Sequence, residues 1–308
     1  MTQRLKHIIK KARLVNIIIY VVLILMSYQF LYPLMRMVSL SLMSERDIIN
    51  PTVNWLPKSL TFNNLRVALD NLALEKTLVN SLWYSSLLAL CQTLVSSLTG
   101  YAFARYNFKF KKFWFGMALM TFIIPTPVVI IPRTMLFTVV QENVTQMFGT
   151  PIPQIVMAVF GQGIYSAILI LIFYNFVRMI PKVLDEAAEI DGANAAQTFF
   201  HITLRMSLST ILLVFMFSFV WNWNETYITS TFLRNRIELL PERLRIFDSI
   251  FATYGQNYGA GQGSAQMRIN EAYKMSATLI SILPMLAVYM LVQKQFIKGI
   301  ENAGITGE

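Results

Sequence analysis

The sequence predicts an all-α polytopic membrane protein with six transmembrane helices. Of its 308 residues, 55% are hydrophobic and only 14% are charged, a balance that is rare in soluble proteins of this length. The apolar residues form long runs, and a helix rising about 1.5 Å per residue needs roughly 20 residues to cross about 30 Å of hydrocarbon. Backbone polar groups have no water partners in lipid, so such runs should be helices, whereas barrel strands would show short alternating segments.

Six runs are long enough to be spans. The first is too long for the apolar core of a cleaved signal peptide, and no small-residue cleavage site follows it, so we interpret it as a retained helix. We place the predicted spans at about residues 14–35, 77–104, 113–136, 153–177, 206–227 and 275–293.

Prolines shape the third and fourth predicted spans. Each proline removes a backbone donor and clashes with the preceding turn, so the third helix, which contains three of them, should bend or break. The uncharged stretch 143–177 is too long for one span. Pro151 and Pro153 predict that the fourth helix begins there, with 143–150 as an outer loop. The prolines of the third span are Pro125, Pro127 and Pro132.

Basic residues flank the spans asymmetrically. The first thirteen residues carry five Lys or Arg and no acid, the loop 105–112 carries four, and the loop 142–152 has none. The positive-inside rule therefore places both termini in the cytoplasm. The formal net charge of +10 is mostly this topological signal. Nucleic-acid binding is disfavoured because the basic residues do not form one stripe.

The sequence contains no recognisable catalytic or cofactor motif. It has no phosphate-binding loop of the Gly-x-x-x-x-Gly-Lys-Ser/Thr type and no nucleophile elbow. Two histidines, His7 and His201, cannot form a metal cluster with the single Cys91, which lies inside a span. We therefore expect neither enzymatic activity nor a bound cofactor or metal on this chain.

A polar segment, 178–205, separates the fourth and fifth predicted spans. Pro181 suits the first position of a helix, and the acids that follow it interact favourably with the positive helix end. Gly192 can adopt a left-handed conformation and end that helix. Asn194 with Gln197 three residues later is a relative of the capping box. The sequence therefore predicts a short helix, a bend and a second helix on the cytoplasmic face.

The chemistry of this segment leaves two interpretations open. It could be an ordinary interfacial connector with a solvated acidic face, or it could be a surface that another protein binds. Positive-inside bias would favour basic residues here, yet four acids lie between Lys182 and Gln197. This composition disfavours simple lipid contact and favours a protein partner.

The pattern Glu186-Ala187-Ala188, then Gly192, then Ile202-x-Leu204, resembles the EAA motif of ABC importer permeases. In that family this loop forms the coupling helix, which sits in a cleft of an ATP-binding subunit. The resemblance implies a set of docking residues on this chain, which are Glu186, Ala187, Ala188, Asp191 and Gly192.

Over nearly the whole chain, further segments resemble MalG-type carbohydrate permeases. One position departs from the family pattern, because Arg205 stands where a proline is usual, and this implies a less fixed start for the following helix. The segments that carry the resemblance are Asn80-Ser81-Leu82, 100–105, Ile124-Pro125, 221–225 and 295–299.

This resemblance implies the permease of an ATP-driven, binding-protein-dependent importer for oligosaccharides, with acidic ones as an option, in a bacterial or archaeal cytoplasmic membrane. The implied partners are a second homologous permease, two ATP-binding subunits that carry ATP and Mg, an extracytoplasmic solute-binding protein and the lipid bilayer, but no nucleic acid. The alternative is a self-sufficient secondary transporter or channel for a small polar solute. That alternative would show ionisable residues inside spans or inverted repeats, and neither is clear in this sequence.

Aromatic and amide residues concentrate at the outer end of the fifth predicted span. Sugars offer apolar faces for stacking and hydroxyl groups for amides, so this mixture suits a carbohydrate path. An interfacial aromatic belt is the alternative for the tryptophans. Buried amides are costly unless paired, so Asn222 and Asn224 should face the bundle interior. The candidate path residues are Trp221, Asn222, Trp223, Asn224, Glu225 and Tyr227.

Isolated polar residues elsewhere allow more than one interpretation. Arg133 follows the triple-proline segment and could lie at membrane depth or reach an interface. Four amides within apolar runs should join helices to one another; they are Gln92, Gln154, Gln162 and Asn175. An excess of arginine in the outer loop could attract an acidic sugar or dock a binding protein. These residues are Arg234, Arg236, Arg243, Arg245 and Arg268, against Glu238, Glu242 and Asp248.

Overall fold

The computed structural model describes residues 3–249 and 264–302. These residues form helices joined by short loops, with no strand among them beyond an isolated β-bridge between Met43 and Leu60. In chain order the elements are α1 (Gln3–Leu42), α2 (Glu45–Ile49), α3 (Asn63–Leu72), α4 (Leu74–Arg105), α5 (Lys111–Met120), α6 (Thr126–Asn143), α7 (Ile152–Val159), α8 (Ser166–Met179), α9 (Val183–Ile190), α10 (Ala195–Thr198), a π-helix (Phe199–Thr203), α11 (Leu204–Met206), α12 (Leu208–Asn224), α13 (Tyr227–Leu233), α14 (Leu240–Arg245) and α15 (Ser264–Asn302).

Three helical segments are long and apolar enough to cross a membrane without interruption. They lie in α1, α4 and α15 and correspond to the first, second and sixth predicted spans. The fifth predicted span corresponds to α12, which is bent by 81° from the helical segment Ala195–Met206 before it. The three uninterrupted segments are Val15–Leu42, Leu74–Arg105 and Met267–Lys294.

The third predicted span is broken, as its prolines indicated. Helix α5 ends at Met120, and α6 begins at Thr126 with Pro125 at its N-cap. Pro132 lies inside α6. Pro151 is the N-cap of α7, so the predicted start of the fourth helix is confirmed.

The fourth predicted span, expected as one helix over 153–177, is instead divided into α7 and α8 by the segment 160–165. Gly161 and Tyr165 adopt positive φ angles of +69° and +50° in this break, which helical backbone cannot have. A broken helix at membrane depth exposes backbone polar groups that other parts of the protein must satisfy.

One compact unit of the chain comprises Met1–Leu72 and Ile246–Leu283. Its loop after α1 is fixed by Asp47, whose carboxylate accepts hydrogen bonds from the N–H groups of Lys58 at 3.0 Å and Ser59 at 2.9 Å. The hydrogen bond from Ser59 is the main reason why the pKa of Asp47 lies below its usual value, since it stabilises the charged form.

The other compact unit comprises Ala73–Arg245 and Pro284–Glu308. Within it α4 packs against α7, α8 and α12, and many of the buried side chains of α4 are small or carry hydroxyl groups. Such residues let helices approach closely in a membrane. At Gly100 an added Cβ would lie 2.6 Å from the Phe173 Cβ and 2.9 Å from the Tyr174 backbone nitrogen. The backbones of α4 and α8 are therefore nearly in contact at this point.

We expect Gly100→Ala to destabilise the protein, because its Cβ would overlap backbone that cannot move without separating α4 from α8. Overpacking of this kind costs about 1–3 kcal/mol, and the melting temperature in detergent should fall accordingly. Gly116→Ala is the matched control, since nothing lies within 4 Å of a Cβ at that position in α5. Equal melting temperatures for the two variants would contradict the close contact.

Candidate functional site

The polar segment between α8 and α12 folds as short helices joined by a turn. Helix α9 begins at Val183 with Lys182 as its N-cap. Pro181 therefore precedes the helix instead of occupying its first position as predicted, and its carbonyl accepts the Leu184 N–H at 3.3 Å. Two acids lie in the first turn of α9, where they interact favourably with the helix N-terminus.

The turn after α9 has the predicted conformation. Gly192 has a φ of +82°, a left-handed value that strains any residue with a Cβ. Asn194 Oδ1 accepts the Gln197 N–H at 2.9 Å, and Gln197 Oε1 accepts the Asn194 N–H at 2.8 Å, so the capping box is complete. The helical path then continues past Arg205 and bends at Ser207.

A salt bridge joins the start of α9 to the end of α4. Arg105 Nε lies 2.6 Å from Asp185 Oδ2, and the two side chains are only 6% and 16% exposed. Arg105 Nη2 also donates to the Ile180 carbonyl at 3.0 Å. The sequence identified Arg105 only as part of a basic loop, because a partner 80 positions away in the chain has no signature in a single sequence.

An aromatic contact joins the second limb of the turn to the same helix. Phe199 is 4% exposed, and its ring centroid lies 5.0 Å from that of Tyr101 on α4. Both residues belong to a buried cluster with Val177, against which Ala104 and Leu204 pack. The C-terminal end of α4 therefore holds the segment 183–206 on both sides of Gly192.

The outward side of this segment is accessible. Glu186, Ala187, Asp191 and Gly192 are exposed, whereas Ala188 is 8% exposed and faces inward. Two large apolar side chains are also accessible, since Ile190 is 87% and Phe200 55% exposed. A cavity of about 300 Å³ opens beside the turn. Its lining comprises Asp191, Gly192, Ala193, Gln197, Thr198, His201 and Ile202.

The candidate path residues at the end of α12 separate into buried and accessible groups. Asn222 and Trp223 are buried, and Trp221 packs edge-on against Tyr165 with ring centroids 5.0 Å apart. The prediction that Asn224 faces the bundle interior is wrong, because Asn224 is exposed and satisfies its amide with the Val220 carbonyl of its own helix. Among the others, Tyr227 is exposed and Glu225 accepts the Ile228 N–H at 2.6 Å.

Gln92 is the centre of a buried polar network. It is 1% exposed, its Nε2 donates to the Ile164 carbonyl at 3.0 Å and to Ser166 Oγ at 2.9 Å, and its Oε1 accepts from Ser218 Oγ at 2.5 Å and Asn222 Nδ2 at 2.6 Å. These bonds connect α4, the break before α8, and α12. The prediction that Gln92 joins helices is confirmed.

The other isolated amides behave differently from one another. Gln154 accepts a hydrogen bond from the Tyr84 hydroxyl and donates to Thr229 Oγ1 at 3.3 Å, so it also joins helices. Gln162, in the break between α7 and α8, accepts a hydrogen bond from Arg133 Nη2 of α6 at 3.2 Å. Asn175 is on the surface, so no helix-joining role is supported for it.

Most of the outer-loop arginines are used within the chain. They stack on a ring, pack against backbone, pair with acids or donate to a carbonyl, and the two that pair with acids are Arg243 and Arg245. Arg234 lies 4.0 Å from the Phe148 ring centroid, Arg236 packs against Gly149, Arg243 pairs with Glu238 at 3.0 Å, Arg245 lies 3.8 Å from Glu242, and Arg268 donates to the Ile49 carbonyl at 3.5 Å.

Several known proteins resemble the chain over most of its length. Residues 92–302 match the family described as binding-protein-dependent transport system inner membrane component. A probable ABC transporter permease of Pyrococcus horikoshii is 26% identical over 88% of this chain and 90% of its own. The arabinooligosaccharides transport system permease AraQ of Halalkalibacterium halodurans is 25% identical over 90% and 91%. The fold is similar to a chain of a bacterial ABC transporter involved in import of the acidic polysaccharide alginate, with TM-score 0.74, 18% identity and coverage of 93% and 98%.

We expect Arg105→Met to loosen the segment 183–206, because it leaves the Asp185 carboxylate largely buried without its cation. Removing one partner of a buried pair costs about 3–5 kcal/mol, and the partial exposure of Asp185 should place this case at the lower end. Hydrogen exchange of amides 183–206 should accelerate. Lys112→Met, which removes the same charge from an exposed site at the start of α5, should have no such effect, and equal acceleration in both variants would contradict the role of the pair.

Proposed function

The chain belongs to the family of binding-protein-dependent transport system inner membrane components, and we propose that it is the permease subunit of an ATP-driven importer of oligosaccharides. The segment 183–206 carries this proposal. It exposes Glu186 and Ala187 of the motif, while a buried ion pair and a ring contact fix its inner side to α4. A docking element that moves helices must be accessible to its partner and move as one body with those helices.

Two ATP-binding subunits, which carry ATP and Mg, are the proposed partners of this segment. The exposed Ile190 and Phe200 are large apolar side chains on an otherwise polar loop, and such exposed groups mark protein interfaces. Acidic Glu186 and Asp191 beside them would suit a cleft that offers basic groups. Gly192 and the cavity next to it leave room for a side chain of the partner.

Closure of the ATP-binding subunits would displace α9. The proposed coupling depends on which helices that displacement reaches. The Arg105–Asp185 pair and the Tyr101–Phe199 contact transfer the displacement to α4. Helix α4 in turn packs against α8 and α12, so the three helices would shift together. This is rigid-body switching between inward and outward access.

A second homologous permease and lipid would cover the apolar surface. On α6, Val128, Ile131 and Met135 are each more than 60% exposed, which water alone would not favour. We propose both termini in the cytoplasm of a bacterial or archaeal cell, with an extracytoplasmic solute-binding protein at the opposite face. Positive-inside charge in the N-terminal segment and in the loop 105–112 supports this orientation.

An oligosaccharide is the proposed solute. The similarity to an arabinooligosaccharide permease supports a sugar. The exposed ring of Tyr165 and its neighbour Trp221 supply the apolar surface on which a sugar could stack. Asn222 and Trp223 would form part of the wall, since both are buried.

A self-sufficient secondary transporter or channel is the second candidate, and one observation favours it: Arg133 is an ionisable residue inside a predicted span. Membership of the family favours the ATP-driven importer. Solute uptake into vesicles with and without ATP and the ATP-binding subunits decides between them.

We expect Glu186→Lys to abolish co-purification of the ATP-binding subunits and ATP-dependent uptake, because it reverses a charge on the exposed docking side of α9. Glu142→Lys is the matched control, since it makes the same change at an exposed position near the end of α6, on the opposite predicted face. Affinity purification of the assembled importer measures both. If Glu186→Lys retained the ATP-binding subunits while Glu142→Lys lost them, the proposed docking side would be wrong.

A further inference from the structure

Arg133 is a charged residue on the side of α6 that packs against the rest of the protein. It lies in α6, with Ile130 three residues before it and Phe137 four residues after it both buried, so it belongs to the side of the helix that faces the protein. It is itself partly buried. A charged side chain inside a membrane span is costly and usually marks a functional site.

The charge of Arg133 is not neutralised by an acid within the described residues. None of the ion pairs formed among residues 15–249 and 267–294 includes Arg133. Its hydrogen bond there goes from Nη2 to the neutral Gln162 Oε1 at 3.2 Å. Arginine presents five N–H donors in a planar fork, so most of its binding capacity remains unused.

The neighbouring amides cannot take over the role of a counter-ion. Gln92, Gln154 and Asn222 line the same small cavity as Arg133, but their amide groups bond to one another or to hydroxyl and carbonyl groups of the chain. The cavity measures about 10 Å³, which is too small for a sugar. A ligand would therefore meet Arg133 outside this cavity, where its guanidinium bonds to the exposed Gln162.

The break between α7 and α8 supplies the rest of a binding surface. Gln162, exposed in this break, gives its oxygen to Arg133 and keeps its Nε2 as a second donor beside the guanidinium. Tyr165, three residues later, is 49% exposed and packs edge-on against Trp221. A cation, an amide donor and an aromatic surface are the groups that would bind a carboxylate and a sugar ring together.

We propose that Arg133 and Gln162 form an anion-binding site on the solute path and select oligosaccharides that carry carboxylates, such as uronic acids. This inference rests on the proposed function. It assigns the acidic specificity to Arg133, whereas Arg243 and Arg245 of the outer loop already pair with acids within the chain.

The test compares two solutes with the same sugar backbone, one charged and one neutral: trigalacturonate and its fully methyl-esterified form. The complete importer, assembled in phosphatidylcholine vesicles, takes them up with ATP. Arg133→Gln should lower uptake of the acid by at least about tenfold, the factor expected when a hydrogen bond to a charged group is lost, and should leave the ester unchanged. Arg133→Lys should retain part of the preference. Arg66→Gln, at an exposed arginine of α3, should change the uptake of neither solute.

The outcomes separate the alternatives. Because the solute-binding protein is the same throughout, a changed ratio of acid to ester reports on Arg133 itself. An unchanged ratio of acid to ester uptake in Arg133→Gln, or an equal loss of uptake of both solutes, would overturn the inference. ATP-driven uptake of either solute would still support the proposed function. If Arg133→Gln altered only the response to added phosphatidylglycerol, the anion would be a lipid headgroup and the sugar assignment would fall. If the unaltered importer took up neither solute with ATP, this inference would fall. The proposed function would fall only if an arabinooligosaccharide, the solute of a similar permease, were not taken up with ATP either.

Discussion

The hydrogen bonds of Gln92 determine how the helices of this permease are arranged. An amide in a membrane interior must find partners, and so must a backbone carbonyl released by a broken helix. Gln92 meets both requirements at once, because it donates to the Ile164 carbonyl inside the break and accepts from Ser218 and Asn222 on α12. Burying these polar groups costs little free energy only while every one of them has a hydrogen-bond partner. Its integrity therefore fixes the position of the break, and with it the surface that Gln162 and Tyr165 present.

Helix α4 carries the second fixed point at its C-terminal end. Arg105 lies 13 residues after Gln92 in the same helix, a separation of about 20 Å at 1.5 Å per residue. One residue holds the irregular part of the fourth span and the other holds α9 through Asp185. Close packing at Gly100, between these two points, joins α4 to α8. A displacement of the segment 183–206 would thus reach the region around Gln92 through one continuous helix.

The sequence predicts the local features of this arrangement well and its long-range contacts poorly. Prolines predict the break in the third span and the start of α7. The Asn194–Gln197 capping box is predicted by two residues three positions apart. The break at 160–165 has weaker signals, since Gly161 and Gly163 are compatible with helix as well as with a turn. The Arg105–Asp185 pair and the Gln92 network join residues 70 or more positions apart. Helix packing decides which polar residues meet at that separation, and a single sequence does not show that packing.

Arginine illustrates why charge in a membrane protein has to be interpreted from contacts. Arg105, Arg234, Arg243 and Arg245 look alike in the sequence, as parts of basic clusters. In the structure Asp185, the Phe148 ring, Glu238 and Glu242, respectively, lie beside them. Arg133 stands alone in the sequence and bonds to a neutral amide. A matched cation stabilises a fixed arrangement, whereas an unmatched one at the edge of the bundle lowers the free energy of a state in which an anion is present. The same residue type therefore stabilises the contact between α4 and α9 at Arg105, and at Arg133 it would select the solute.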